Sequence, residues 1–168
     1  DAIVPPKSGD YPPGTTNVRD YVNLTHSQFT ANVTATSEDD RITIMVPVNT
    51  VGRTAAGLPL DYISIAPLSQ QPEAPPEAGI IGLVYELGPN GAQFSPTVNL
   101  TFNYDPTWLP SGIVETDIYL AGYNPSDKTW TKLASSVDVS YHRINARLSH
   151  FSAYGIIAGT RPASIAVK

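Results

Sequence analysis

Three consecutive residues near the end of the chain, His150, Phe151 and Ser152, have the types that a self-cleavage reaction requires. In such a reaction a base takes the proton of a serine hydroxyl, and the oxygen attacks the carbonyl of the preceding residue. Water then cleaves the resulting ester. In an extended strand the Cα atoms of His150 and Ser152 would lie about 6.5 Å apart, so their side chains could meet. Strain in the Phe151–Ser152 peptide bond would have to drive the acyl shift.

The same triplet also fits a purely structural role. If the alternation from Arg143 onward continues, one strand face carries Ile144, Ala146, Leu148, His150, Ser152, Tyr154 and Ile156. Phe151 would then be buried in one layer of the fold, and the His150 and Ser152 side chains would be satisfied by hydrogen bonds. Any strand with His and Ser two positions apart satisfies this spacing. The spacing therefore does not distinguish a reactive site from a strand.

The sequence predicts no cofactor and no resident metal ion. The three histidines are scattered, the chain has no cysteine, and no phosphate-binding glycine pattern is present. Glu38, Asp39 and Asp40 could offer carboxylate oxygens to Ca²⁺. The turn that contains them lacks the repeat or helix–loop–helix pattern of calcium sites, so we interpret it as a solvated turn.

Aromatic side chains on the surface would allow a third role, the binding of carbohydrate. The chain has two tryptophans and nine tyrosines. Trp108 is flanked by prolines in a predicted loop. Trp130 lies in a patterned strand, which assigns its side chain to the core.

Composition excludes several classes of partner. The chain has 168 residues, of which 41% are hydrophobic and 15% charged, and its net charge is −5. No basic cluster is present, so we expect no nucleic-acid partner. No apolar run approaches the length of a bilayer-spanning helix, so we expect no direct membrane insertion.

Several features favour a location on the cell surface. The chain begins "DAIVPPKSGDYPPG" without methionine, as expected after removal of a signal segment. Glycosylation sequons occur at Asn23, Asn32 and Asn99, whereas Asn124 is disqualified by the following proline. The absence of cysteine is compatible with this location, because surface proteins of prokaryotes often lack disulfides. We therefore expect an extracellular glycoprotein.

The sequence pattern predicts an all-β fold. Sixteen prolines and twelve glycines divide the chain into short segments, and most segments alternate apolar and polar residues as "TVNLTFNY" does. Roughly eight to ten strands without intervening helices indicate an antiparallel β-sandwich. We assign residues 18–159 to this domain. Residues 1–17 and 160–168 are expected to be extended tails.

Three segments carry a resemblance to a known family. They are "GLVYELGPNGAQFSPTVNLTFNYD", "IYLAGYNPSDKTWTKL" and "SHFSAYGIIA". Together they resemble a β-sandwich domain of archaeal and bacterial cell-surface proteins, which is similar to the domain shared by zona-occludens proteins, ankyrins and UNC-type netrin receptors. The resemblance covers residues 80–158 and, more loosely, 29–68.

The resemblance implies two alternative meanings for the triplet. In some relatives a His-Phe-Ser sequence is cut between Phe and Ser. His150 would then be the base, Phe151 the acyl donor and Ser152 the nucleophile. In many prokaryotic surface members the same sequence is a signature of the fold, with no cleavage implied.

The sequence as a whole favours a non-catalytic structural module, such as a subunit of a surface layer, an adhesin stalk or a filament. The terminal segments "DAIVPP" and "ASIAVK" are β-prone and adjoin proline-containing stretches. Such strands can complete a neighbour's sheet and so join copies into a homo-oligomer or polymer. Alternatively, the tails are linkers to neighbouring domains of a longer protein. An autoproteolytic module and a carbohydrate-binding module are the competing functions.

Overall fold

Alternating apolar and polar residues form the strands of this protein, as the sequence pattern predicts. In Ile42–Val46, for example, the two isoleucines and the valine are buried while the residues between them are half-buried. The computed structural model describes residues 2–5 and 12–159. These residues form two antiparallel sheets packed around one core, so the predicted all-β sandwich is confirmed.

The described residues form fourteen strands, of which ten have four or more residues. In chain order the strands are β1 (Thr15–Asn17), β2 (Val22–Asn23), β3 (Gln28–Phe29), β4 (Val33–Thr36), β5 (Ile42–Val46), β6 (Val51–Arg53), β7 (Tyr62–Pro67), β8 (Ala78–Gly88), β9 (Gln93–Asn103), β10 (Tyr119–Asn124), β11 (Thr129–Lys132), β12 (Ser135–Asp138), β13 (Arg143–His150) and β14 (Ala153–Gly159). Short 3-10 turns cover Arg19–Tyr21, Pro106–Trp108 and Glu115–Asp117. The total exceeds the predicted eight to ten because very short strands leave no periodic signal in a sequence.

The strands divide into two sheets. Sheet I has the order β1-β7-β8-β14-β10-β11, and sheet II has the order β12-β13-β9-β6-β3-β2. In sheet II the long strand β9 pairs with β13 along one side and with β5 and β6 in succession along the other. Strand β4 pairs with β5. The two 11-residue strands, β8 and β9, therefore form the centres of the two sheets.

The core lies between the inner faces of the two sheets. Val98, Leu100 and Phe102 of β9, and Tyr104 directly after it, alternate in the sequence and are all buried. The ring of Phe102 meets that of Tyr85 from β8 edge to face, with 5.4 Å between centroids. Full burial of one such apolar side chain stabilises the fold by about 1.5–3 kcal/mol, so the alternation supplies much of the driving force.

The first strand begins inside the segment predicted to be a tail. Thr15 to Asn17 pair with β7, and Thr15 and Thr16 are buried. Two threonines in succession have no apolar alternation, which is why the pattern did not reveal this strand. The predicted C-terminal tail, residues 160–168, lies outside the described residues. Within the described chain there is no helix with the length and hydropathy that a membrane crossing requires.

A polar contact joins the two sheets at one end of the core. The hydroxyl of Tyr85 in β8 donates a hydrogen bond to Asp39 Oδ2 in the turn between β4 and β5. Asp39 Oδ1 also accepts from the Ser37 hydroxyl at 2.6 Å and from the Arg41 N–H at 3.0 Å. Burial works to raise the pKa of Asp39, but these hydrogen bonds outweigh it and hold the pKa below the usual value. Burial and the neighbouring carboxylate raise the pKa of Tyr85 well above its usual value.

We expect Tyr85→Phe to lower the free energy of unfolding at neutral pH by about 1 kcal/mol, because a partly solvated hydrogen bond to a charged group is lost. The folded-state pKa of Asp39 is depressed below 3.8, so its contribution is complete above that pH and is lost as the pH falls through the folded-state pKa. The difference between wild type and variant should therefore shrink on acidification. Urea denaturation at about pH 7 and about pH 2.5 measures it.

Tyr141→Phe is the matched control, since it removes a hydroxyl from an exposed ring that does not contact Asp39. A Tyr85→Phe deficit that is equal at both pH values would contradict the proposed role of the carboxylate.

Candidate functional site

The His-Phe-Ser triplet lies where the chain crosses from one sheet to the other. Strand β13 of sheet II ends at His150, and β14 of sheet I begins at Ala153. The register between β13 and β9 shifts between Leu148 and His150. The predicted continuous strand through the triplet is therefore wrong, because the alternation stops where the backbone turns toward the second sheet.

Phe151 anchors this crossover in the core. Its side chain is buried, and its ring centroid lies 4.6 Å from that of Phe94. The Phe151 N–H donates to the Ala92 carbonyl at 2.8 Å, and the Phe151 carbonyl accepts from the Gly91 N–H at 3.2 Å. The burial of Phe151 agrees with the structural interpretation of the triplet, which places this side chain in one layer of the fold.

His150 and Ser152 are directed to different partners. The Ser152 hydroxyl donates to the Tyr123 carbonyl at 3.3 Å. His150 is exposed, and its carbonyl accepts from the hydroxyl of Tyr154 at 2.8 Å. Burial raises the pKa of Tyr154 to about 12, which keeps this hydroxyl a neutral donor. In the described part of the chain no hydrogen bond joins the His150 imidazole to the Ser152 hydroxyl.

Self-cleavage would need two further features, a polarised carbonyl and a strained backbone. The Gly91 N–H that bonds the Phe151 carbonyl could stabilise a developing oxyanion. However, none of His150, Phe151 and Ser152 has a positive φ, the conformation that would indicate backbone strain. The geometry thus supports the structural interpretation more than the reactive one, and cleavage stays a prediction to be tested.

In the turn between β4 and β5, Glu38, Asp39 and Asp40 each accept hydrogen bonds from different partners. Glu38 Oε2 accepts from the Gly14 N–H at 3.3 Å, and Asp39 bonds Ser37 and Tyr85 as described above. The Asp40 carbonyl accepts from the Asn103 side chain at 3.4 Å. Residues 2–5 and 12–159 contain no group of three or more His, Cys, Asp or Glu residues that could hold a metal ion.

The three sequons differ in accessibility. Asn23 is exposed, and its side-chain oxygen accepts from the Thr25 N–H at 2.9 Å in the turn after β2. Asn32 is half-buried, and its side-chain oxygen accepts from the Val48 N–H at 2.7 Å. Asn99 is half-buried in β9, between β5 and β13. Because glycosylation needs an accessible surface segment, Asn23 is the sequon best placed to accept a glycan.

Trp108 lies in a connection between strands, as predicted, whereas the surroundings of Trp130 differ from the prediction. Trp108 covers Gly82 so closely that a Cβ there would lie 2.8 Å from the indole, and the Arg41 guanidinium is 4.5 Å from its ring centroid. Trp130 is half-exposed and lies outside the core, so its assignment to the core is wrong. The physical reason is that β11 is the edge strand of sheet I, where alternation does not imply burial.

Residues 2–5 meet the edge of sheet II through a single β-bridge. Ile3 pairs in parallel with Val33 of β4. The Ile3 N–H donates to the Asn32 carbonyl at 2.6 Å, and the Thr34 N–H donates to the Ile3 carbonyl at 2.7 Å. Pro5 is buried whereas Val4 is exposed. This segment therefore has the capacity for main-chain pairing that the sequence predicts for "DAIVPP".

No protein-family model matches the chain, and no curated protein is significantly similar to it. The resemblance to the surface-protein domain, and with it the meaning of the His-Phe-Ser sequence, therefore stays a prediction.

We expect the purified protein to keep its intact mass on prolonged incubation, and Ser152→Ala to do the same. Ser152→Ala should lower the free energy of unfolding by about 1 kcal/mol through loss of the bond to Tyr123. Phe151→Ala should lower it by about 3–5 kcal/mol, because it leaves a cavity in the core. Mass spectrometry and urea denaturation give these values. A wild-type fragment that begins at Ser152 and is missing in Ser152→Ala would instead establish self-cleavage.

In a host with an N-glycosylation pathway we expect the glycan at Asn23. Peptide mapping by mass spectrometry should find it there, and Asn23→Gln should remove most of the glycan mass. The controls Asn32→Gln and Asn99→Gln should leave that mass unchanged. Predominant occupancy of Asn99 would show that exposure in the folded chain does not decide the site.

Proposed function

We propose that this protein is a non-catalytic structural module of the cell exterior, whose copies join by strand exchange. In this assembly residues 2–5 of one copy pair with the β4 edge of the next. The protein would then be a subunit of a surface layer, stalk or filament. The observation that carries the proposal is the pairing of Ile3 with Val33.

The contacts made by this segment do not depend on which copy provides it. They are two main-chain hydrogen bonds, to Asn32 and from Thr34, together with the burial of Pro5. A neighbour's segment would form the same contacts, so exchange conserves the favourable interactions. Exchange of an identical element is a low-cost route to association for this reason.

The exposed edge of β4 also favours strand exchange. One side of β4 pairs with β5, and the other side meets only the single Ile3 bridge among the described residues. A sheet edge with free main-chain groups is a template for another strand. Because the chain has no cysteine, main-chain pairing would join copies without disulfides.

The length of the connection limits how the copies would pack. Seven residue steps separate Pro5 from Pro12, the next described residue, and an extended chain of this length spans at most about 25 Å. The accepting edge of a neighbour must therefore lie within that distance of Pro12. Strand donation by residues 160–168, which the sequence also predicts, concerns a segment outside the described residues.

Single cysteines in this cysteine-free chain test the exchange directly. Val4 is exposed, and Thr34 follows Val33 on the accepting strand. We expect a mixture of the Val4→Cys and Thr34→Cys proteins to form a covalent heterodimer with a short bismaleimide linker. Denaturing gel electrophoresis and mass spectrometry identify this product.

The control mixture pairs Val4→Cys with Leu58→Cys, which places the second thiol on an exposed turn between β6 and β7. This control mixture should give less than about a tenth of the heterodimer that the Val4→Cys and Thr34→Cys mixture gives, because strand exchange does not bring residues 4 and 58 together. If the double variant Val4→Cys/Thr34→Cys links only within one chain and the mixture gives no heterodimer, strand exchange is wrong. Light scattering by the wild type reports separately whether the protein assembles at all.

A further inference from the structure

The proline-rich segment that precedes β8 is held against the body of the protein rather than projecting from it. The side chain of Gln71 pairs with the backbone of Val84 as a strand would, since Nε2 donates to the Val84 carbonyl at 3.1 Å and Oε1 accepts from the Val84 N–H at 2.7 Å. The indole N–H of Trp130 donates to the Glu73 carbonyl at 2.9 Å. These bonds make the segment a fixed wall beside sheet I.

An aromatic pair forms the opposite wall. Tyr123 of β10 and Trp130 of β11 are cross-strand partners, and their ring centroids lie 4.9 Å apart at an interplanar angle of 49°. Both side chains are half-exposed. Their rings are therefore available to a ligand while the hairpin fixes their orientation.

Between these walls lies an open cleft of about 780 Å³, here termed the proline cleft. Its apolar lining includes Pro72, Pro75 and the Tyr123–Trp130 pair. Ligand sites in proteins commonly occupy about 300–1,000 Å³ and combine apolar walls with a few polar groups. The proline cleft has both properties.

The polar groups of the cleft indicate the chemistry of its ligand. Gln70, Glu73 and Lys128 line it, and their side chains have no hydrogen-bond partner within residues 2–5 and 12–159. One amide, one carboxylate and one ammonium offer donors and acceptors with no net charge. This balance suits neutral hydroxyl groups better than a phosphate or a cation.

A proline-rich peptide fits less well than a sugar. Grooves that bind such peptides use an aromatic surface together with donors to the main-chain carbonyls of the peptide. In the proline cleft the indole donor of Trp130 is already used by Glu73. The ring faces and the three polar side chains are what is left for a ligand. We propose that the proline cleft binds a neutral oligosaccharide, whose apolar ring faces stack on Tyr123 and Trp130.

This proposal does not depend on strand exchange, because the cleft lies at the β11 edge of sheet I whereas residues 2–5 pair with sheet II. It also places the sugar-binding surface at Trp130, whereas the sequence assigned Trp130 to the core and left Trp108 as the tryptophan available to a sugar. In an extracellular module the cleft would attach the protein to a polysaccharide.

Tryptophan fluorescence tests the proposal in the full chain. In a Trp108→Phe background Trp130 is the one remaining tryptophan of the chain. We expect at least one of cellohexaose, chitohexaose and mannohexaose to change its emission saturably, with a dissociation constant below about 1 mM. Tyr123→Ala should weaken binding at least about tenfold without removing the Trp130–Glu73 bond.

Tyr141→Ala is the matched control, since it removes an exposed tyrosine ring elsewhere and should leave the affinity unchanged. Far-ultraviolet circular dichroism checks that each variant keeps its β-structure. Binding of none of the sugars would overturn the proposal, as would equal affinity in Tyr123→Ala. Saturable binding of decaproline in place of every sugar would also overturn it and identify the cleft as a peptide groove.

Discussion

The crossover at Phe151 is the constraint on which the rest of the structure depends. A chain that passes from one sheet of a sandwich to the other carries buried peptide groups, and these need hydrogen-bond partners. Here the end of β8 and the segment between β8 and β9 supply them. The Phe151 N–H and carbonyl bond Ala92 and Gly91, and the Ser152 carbonyl accepts from the Leu87 N–H at 2.9 Å. The Phe151 ring fills the core beside Phe94, so one residue both packs in the core and fixes the start of β14.

The contacts at this crossover favour the structural interpretation of the triplet over the reactive one. The carbonyl of the Phe151–Ser152 peptide bond accepts from the Gly91 N–H, and the peptide groups before and after it are also hydrogen-bonded. The serine hydroxyl donates to the carbonyl of Tyr123 in β10. The surfaces that suggest function lie elsewhere, at edges of the sheets. At β4 the edge meets residues 2–5, and at β11 it borders the proline cleft. Sheet edges expose groups that another molecule can use, whereas the core does not.

The prediction from sequence was most reliable where burial and periodicity coincide. Alternation in β9 identified Val98, Leu100 and Phe102 as core residues, and they are fully buried. The same rule failed at two places. It extended β13 beyond His150, because a change of sheet leaves the apolar composition unchanged. It also placed Trp130 in the core, because an edge strand can alternate while neither of its faces is deeply buried.

The sequence by itself determined the fold class, since strands with one apolar face have to pack against a second sheet. It also indicated that the N-terminal segment is able to pair as a strand. Only the tertiary structure decided which groups meet: Tyr85 with Asp39, Trp130 with Glu73, and Ile3 with Val33. These pairs are 46, 57 and, by subtraction, 30 residues apart in the chain. Contacts over such separations depend on strand order and on the exact register, whereas periodicity specifies only which face of its strand a residue occupies.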